Sequence, residues 1–175
     1  MRTWIAFLTF VIGCSAVEGA GDHAAGTVAQ ASSKAPPGEA HALPQVSLVG
    51  FDNSAVRLEQ AAAGKPALVS FWATWCEACA TEFGALNRLE ERAHATGGVV
   101  IGVDVGEPRE KAAAFARAHG LKYMQLVDEK LELADALGQK RLPATLVLDR
   151  HGQVVFVGGA LDEKALAAFR GAIER

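Results

Sequence analysis

Cys76 and Cys79 stand three residues apart, with Glu77 and Ala78 between them. Two thiols at that spacing can close a small disulfide and reopen it, so the pair can take up or deliver two electrons. The flanking residues predict which sulfur reacts first. Ala67 to Ala73 is an apolar run of strand length, and a turn follows it. From Cys79 onward, Phe83, Leu86, Asn87, Glu90 and Ala93 follow a 3.6-residue period with the apolar members on one side. Cys76 is therefore expected at or just before the first turn of a long helix that ends at Gly97-Gly98. There, unpaired N–H groups and the positive dipole end favour the thiolate, lowering a cysteine pKa from about 8.5 towards about 7 or below. Cys79 lies one turn further in and is less accessible. On this reading Cys76 attacks and Cys79 resolves.

Other uses of a cysteine pair fit this chain less well. Zinc takes four ligands, usually a second Cys-x-x-Cys or paired histidines, whereas His94, His119 and His151 are isolated. No metal site is expected. A c-type haem attachment requires His directly after the second cysteine, where this chain has Ala80. A purely structural disulfide across so short a loop would stabilise little. The expected reaction uses no cofactor beyond the Cys76–Cys79 disulfide itself. Trp72 and Trp75 read as packing residues, Trp75 partly exposed beside the cysteines.

The chain has 175 residues, half of them apolar, which is enough for one sizeable core. A net charge of −3 with scattered basic residues argues against nucleic acid as a partner. The third cysteine, Cys14, closes an N-terminal segment in which Arg2 precedes an apolar run, Trp4 to Ile12, too short to span a bilayer and suited to a signal sequence. Val11-Ile12-Gly13-Cys14 resembles the bacterial lipobox, which implies that Cys14 carries lipid as the mature N-terminus. An ordinary signal peptide cleaved near Ala20 and an uncleaved anchor are the alternatives, and all three export the domain. The expected division is a signal sequence with lipobox at 1–14, a flexible Ala/Gly/Ser-rich tether at 15–42 with His23 and His41 as solvated linker histidines, and a folded domain at 43–175.

Within that domain, strands are expected at Gln45 to Val49, at Ala67 to Ala73, at Val99 to Val105 and at Tyr123 to Val127, with a strand fragment and a helical turn over Val56 to Ala63. Helices are expected after the cysteines, from Pro108 to Gly120, over Leu131 to Leu137, and from a cap at Asp162. Ala144 to Asp149 and Val154 to Val157 flank a hairpin turn at Arg150-His151-Gly152-Gln153. Strands alternating with helices, closed by a hairpin and a helix, predict an α/β domain with a mixed sheet.

With Trp75-Cys76-x-x-Cys79 between strand and helix, this pattern resembles the thioredoxin fold over about Leu43 to Arg175. Phe71-Trp72-Ala73-Thr74-Trp75-Cys76-Glu77-Ala78-Cys79 looks like the membrane-tethered, extracytoplasmic TlpA/ResA-like branch. Val103-Asp104 before an inserted helix, Leu142-Pro143-Ala144-Thr145 followed by Leu148-Asp149 and Gly152, and Glu82 one turn past the second cysteine match it too. The resemblance implies a central mixed sheet flanked by helices, extra N-terminal strands and an inserted helix. It also implies a cis Pro143 facing the cysteines, Leu142 offering its backbone to an extended substrate, Trp75 beside the substrate, and Glu82 exchanging a proton with Cys79.

Several positions depart from the relatives. Ser70 stands where cytoplasmic thioredoxins have a buried aspartate, leaving Glu82 as the proton carrier. Ala78 replaces the proline usual before the second cysteine, and Gly84 replaces the proline that commonly kinks the first helix, so a bend there stays open while glycine still weakens the helix. Glu77 sets negative charge beside Cys76 and opposes its thiolate. The implied activity is a thiol-disulfide oxidoreductase reducing disulfides of extracytoplasmic clients. The expected clients are of the cytochrome c maturation or oxidase copper-site assembly type, and a membrane electron donor recharges the pair. A disulfide-forming oxidase or isomerase and, outside enzymes, a copper-site assembly chaperone are the alternatives. Peroxidase relatives use a lone attacking cysteine in a different loop. The expected location is the periplasmic side of a diderm envelope, held to the membrane through Cys14.

Overall fold

A computed structural model of the protein describes residues 41–175. In chain order the elements are β1 (His41–Ala42), β2 (Ser47–Gly50), β3 (Ala55–Arg57), α1 (Leu58–Ala62), β4 (Ala67–Trp72), α2 (Glu77–Ala80) and α3 (Phe83–Ala95). They continue with β5 (Val99–Val105), α4 (Arg109–Ala118), β6 (Met124–Asp128), α5 (Glu132–Ala136), β7 (Ala144–Leu148), β8 (Gln153–Gly158) and α6 (Glu163–Glu174). The strands form a single eight-stranded mixed sheet in the order β1-β8-β7-β4-β5-β6-β2-β3. β4, β5 and β6 run parallel, and every other pairing is antiparallel.

The central strands are apolar without alternation because helices cover both faces of the sheet. All six residues of β4 are buried. On one face Val69, Phe71, Ile101, Val103, Leu146 and Leu148 pack with Leu58 of α1 and Leu133 of α5. On the other, Leu68, Trp72, Val100, Val127 and Val147 pack with Leu86 of α3, Ala112 and Ala116 of α4, and Phe169 of α6. Asp162 caps α6 as expected, its side chain accepting the Ala165 N–H at 2.8 Å. The expected strands and helices appear within one to three residues of their predicted limits, and β5 matches at both ends.

Two expectations change. The single long helix after the cysteines is broken at Thr81–Glu82 into α2 and α3. The Thr81 hydroxyl donates to the Ala78 carbonyl at 2.7 Å, and the Glu82 N–H donates back only three residues, to Cys79, at 3.0 Å. That tightened turn ends α2, and α3 restarts with the Leu86 N–H on the Glu82 carbonyl. Side-chain periodicity carries no trace of such a break, because the apolar face continues across it. The second change is at the N-terminal boundary. His41 and Ala42, read as the end of a tether, form β1 and pair with Val154 and Gln153 of β8. Backbone pairing shields an otherwise open sheet edge and needs no apolar side chain, so composition does not reveal it. The signal sequence, Cys14, His23 and the rest of the tether lie outside the described residues. Among the described residues, no helix is long and apolar enough to cross a membrane.

Candidate active site

β4 runs apolar through Trp72 and delivers the chain to a turn at Thr74–Trp75, closed by the Cys76 N–H donating to the Ala73 carbonyl at 3.1 Å. Cys76 is the N-cap of α2, with φ −89° and ψ 91°, and its sulfur accepts the Cys79 N–H at 3.2 Å. The two sulfurs are bonded at 2.05 Å, with their Cα atoms 5.3 Å apart. Cys76 is 7% exposed and Cys79 1%. The difference is small, and it lies in the direction expected for an attacking and a resolving sulfur. Because α2 is a single turn, the local Cys79 N–H, rather than a long helix dipole, is what the Cys76 sulfur meets.

The Leu142–Pro143 peptide bond is cis. Phe71 of β4 pairs with Ala144 of β7, so Pro143 lies one residue beyond that pair, at the end of β4 where the cysteine turn begins. Leu142 touches both core clusters. Trp75, 66% exposed, carries the largest exposed apolar surface next to the cysteines. Ser70 is buried at mid-sheet, paired with Thr145 and Gly102, and offers no acid beneath the disulfide.

Glu82 sits at the break between α2 and α3, with its carboxylate turned away from its own helix. One oxygen accepts the Leu161 N–H at 2.8 Å, and the other is buried without a partner among the described residues. Burial pushes its pKa above the ordinary carboxylate value, and the Leu161 hydrogen bond offsets part of that rise. Its charge in turn acts on Tyr123, whose buried hydroxyl is also unpartnered among the described residues. A half-buried carboxyl whose pKa is raised takes up a proton more readily than an exposed one.

Three features of the site escaped the sequence reading. Glu107 grips the cysteine turn: its carboxylate accepts the Thr74 N–H at 2.6 Å and the Thr74 hydroxyl at 2.7 Å. Asp104, three residues before it and near the end of β5, is fully buried. A charge inside the apolar run Val99 to Val105 was the visible signal for Asp104, and nothing local marked its link to Glu107. The Gln125 side chain, third, crosses the sheet to accept the Trp72 indole N–H at 3.0 Å, and its amide nitrogen donates to the Tyr123 carbonyl at 3.1 Å. Among the described residues, no three His, Cys, Asp or Glu side chains converge as metal ligands.

The sheet order, the cis-proline before β7 and the Cys-x-x-Cys turn after β4 define a thioredoxin-like domain with a paired-cysteine site. The chain belongs to the AhpC/TSA family, whose profile matches residues 40–157. It is similar to the thiol-disulfide oxidoreductase ResA of Geobacillus thermodenitrificans, 33% identical over 91 residues that make up 52% of each chain. ResA of Bacillus subtilis is 29% identical over 104 residues, 59% of this chain and 58% of that one. The chain thus spans little more than half the length of these relatives. Among solved structures, dsbF of Mycobacterium tuberculosis superposes with a TM-score of 0.63 at 25% identity, covering 75% of this chain and 98% of that one. A secreted thiol-disulfide isomerase of Corynebacterium glutamicum reaches 0.65 at 23% identity, over 76% and 86% of the two chains, a likeness of fold.

Proposed function

We propose that this protein is a thiol-disulfide oxidoreductase of the extracytoplasmic space that reduces disulfides in client proteins. The observation that carries the reading is the Cys76–Cys79 disulfide at the N-cap of α2, beside the cis-proline loop. The names of the ResA relatives support it. In the reduced protein the Cys76 thiolate attacks one sulfur of a client disulfide. That bond breaks, one client thiolate leaves, and a mixed disulfide joins Cys76 to the client. Cys79 gives up its proton and attacks the Cys76 sulfur, releasing the second client thiolate and closing the Cys76–Cys79 bond. Two electrons have then passed to the client, and no further cofactor takes part.

Glu82 is the group suited to accept the Cys79 proton, by its partial burial and raised pKa. Leu142 at the cis-proline loop offers its backbone to an extended client strand, with Trp75 as an apolar contact beside it. Apocytochrome c thiols or the copper-site cysteines of an assembling oxidase are the client types proposed. A membrane reductant recharges the pair, and lipid on Cys14 holds the domain at the membrane. Glu77 beside Cys76 weighs against a strongly oxidising pair. The deciding test is the reduction potential of Cys76–Cys79 against glutathione. A value near or below about −220 mV is expected, and one near about −120 mV would turn the protein into a disulfide donor. A copper titration of the reduced protein separates the chaperone alternative: a stoichiometric, tight complex would favour it over exchange.

A further inference from the structure

Asp104 occupies a place where an ionised acid is poorly tolerated. It is fully buried, level with Trp72 of β4 and Val127 of β6, and no donor among the described residues meets either of its oxygens. Such a group takes a proton rather than remain charged. Glu107, 5% exposed, is its counterpart and is well supplied with donors. Both Thr74 donors reach it, and the Lys111 ammonium lies 2.5 Å from the oxygen that also accepts the Thr74 hydroxyl. Two carboxyl groups can hydrogen-bond to each other only when one carries a proton.

We propose that Asp104 and Glu107 share a proton, the Asp104 acid donating to the Glu107 carboxylate, and that this pair positions the Thr74–Cys76 turn and so tunes the reactivity of Cys76. The inference rests on the exchange chemistry proposed above for the cysteines. Burial first, then the charge of Glu107 and the bond to it, push the Asp104 pKa up to about 8, with Lys111 opposing. Burial also pushes Glu107 up, but Lys111, Thr74 and Asp104 outweigh it and hold Glu107 below its ordinary value. The other charged groups nearby are engaged elsewhere. Arg109 bonds the Phe51 carbonyl and Glu110. Asp128 of β6 is in register with Val105, hence on the opposite face of the sheet, where it accepts the Ala134 N–H and feels Glu132. Glu82 is bonded to Leu161, and Glu77 is exposed.

Once Asp104 loses its proton, two carboxylates face each other in an apolar setting. Glu107 then has to shift, and its grip on Thr74 is the contact that gives. Asp104 and Glu107 are thus positioning residues, acting on the cysteine through one turn of backbone.

The test is a pH titration of the Thr74 backbone amide by 15N NMR in the oxidised protein, where the cysteines do not titrate. A shift of the Thr74 resonance with a midpoint near 8 is expected. In Asp104→Asn it should disappear, since the Asn amide donates to Glu107 at every pH. In Lys111→Met the midpoint should rise, because the cation that opposes protonation is gone. Lys111 is more than half exposed, so this second variant keeps the test open if Asp104→Asn does not fold. In the reduced protein, the rate of Cys76 alkylation by iodoacetamide per thiolate should change at least threefold across the midpoint, and stay level in Asp104→Asn. A Thr74 amide that does not titrate, or titrates alike in wild type and Asp104→Asn, overturns the pair. Absent disulfide exchange with an intact Thr74 titration would instead overturn the enzyme reading and leave the shared proton standing.

Discussion

At the residue scale, the roles of the two cysteines separate by what each mutant retains. Cys76→Ser should abolish exchange, because the attacking sulfur is gone. Cys79→Ser should still attack and then stall, accumulating client as mixed disulfide on Cys76. Gel analysis under non-reducing conditions distinguishes the two, and equal loss without trapping would refute the assignment. Glu82→Gln keeps an oxygen for the Leu161 N–H but cannot carry a proton, so the resolving step should slow about tenfold or more while the first attack is unchanged. The same variant has a signature in stability. Burial raises the folded-state pKa of Glu82 above its unfolded value, so the folded protein holds that proton more tightly. Stability therefore falls as pH rises from the ordinary carboxylate pKa through the raised one. Glu82→Gln should lose that slope, with a Tm that is flatter over the window and higher than wild type at neutral pH.

At the scale of elements, the site is held by contacts between strands and helices distant in the chain. Gly102 of β5 shows how tight they are. A Cβ there would overlap the Gln125 side-chain amide oxygen, and Gln125 is fixed by the Trp72 indole and the Tyr123 carbonyl. Gly102→Ala should cost on the order of 1–3 kcal/mol, as overpacking of a filled interior does. Chemical denaturation measures this, and a change in the Trp72 near-UV signal should accompany it. The break between α2 and α3 belongs to this scale too. Without proline at 78 or 84, Thr81 and the shortened Glu82 bond end the first turn, and the break sends the Glu82 carboxylate to Leu161 just ahead of α6. A continuous helix would have carried that side chain elsewhere.

At the scale of the whole molecule, the folded unit places the cysteine turn, the cis-proline and Glu107 at the end of the sheet where β4 and β5 finish. The lipid anchor proposed at Cys14 and the cysteine site make separable predictions. Cys14→Ser should move the protein from the membrane fraction to the soluble fraction, by removing the lipid anchor proposed for it. Its exchange rate with a soluble disulfide substrate should stay within about twofold of wild type, since the cysteines proposed to carry exchange lie more than sixty positions downstream. Fractionation and an insulin-reduction assay check the two halves independently.

The sequence alone determined the features written in local pattern. These are the Cys-x-x-Cys pair between strand and helix, the apolar β4 and β5, the hairpin of β7 and β8, the Asp162 cap and, through motif resemblance, the cis-proline. Each depends on residues a few positions apart, or on a motif read as one block, and so leaves a mark along the chain. Only the tertiary structure decided what depends on pairs of residues brought together by folding. Glu107 reaches Thr74 across 33 positions, and Glu82 reaches Leu161 across 79. Gln125 bridges to Trp72 across 53, and β1 closes an edge using backbone groups that every residue possesses. Hydrogen bonds of this kind need only a polar side chain or a backbone group at each end and no periodicity, so neither end signals its partner until folding sets them side by side.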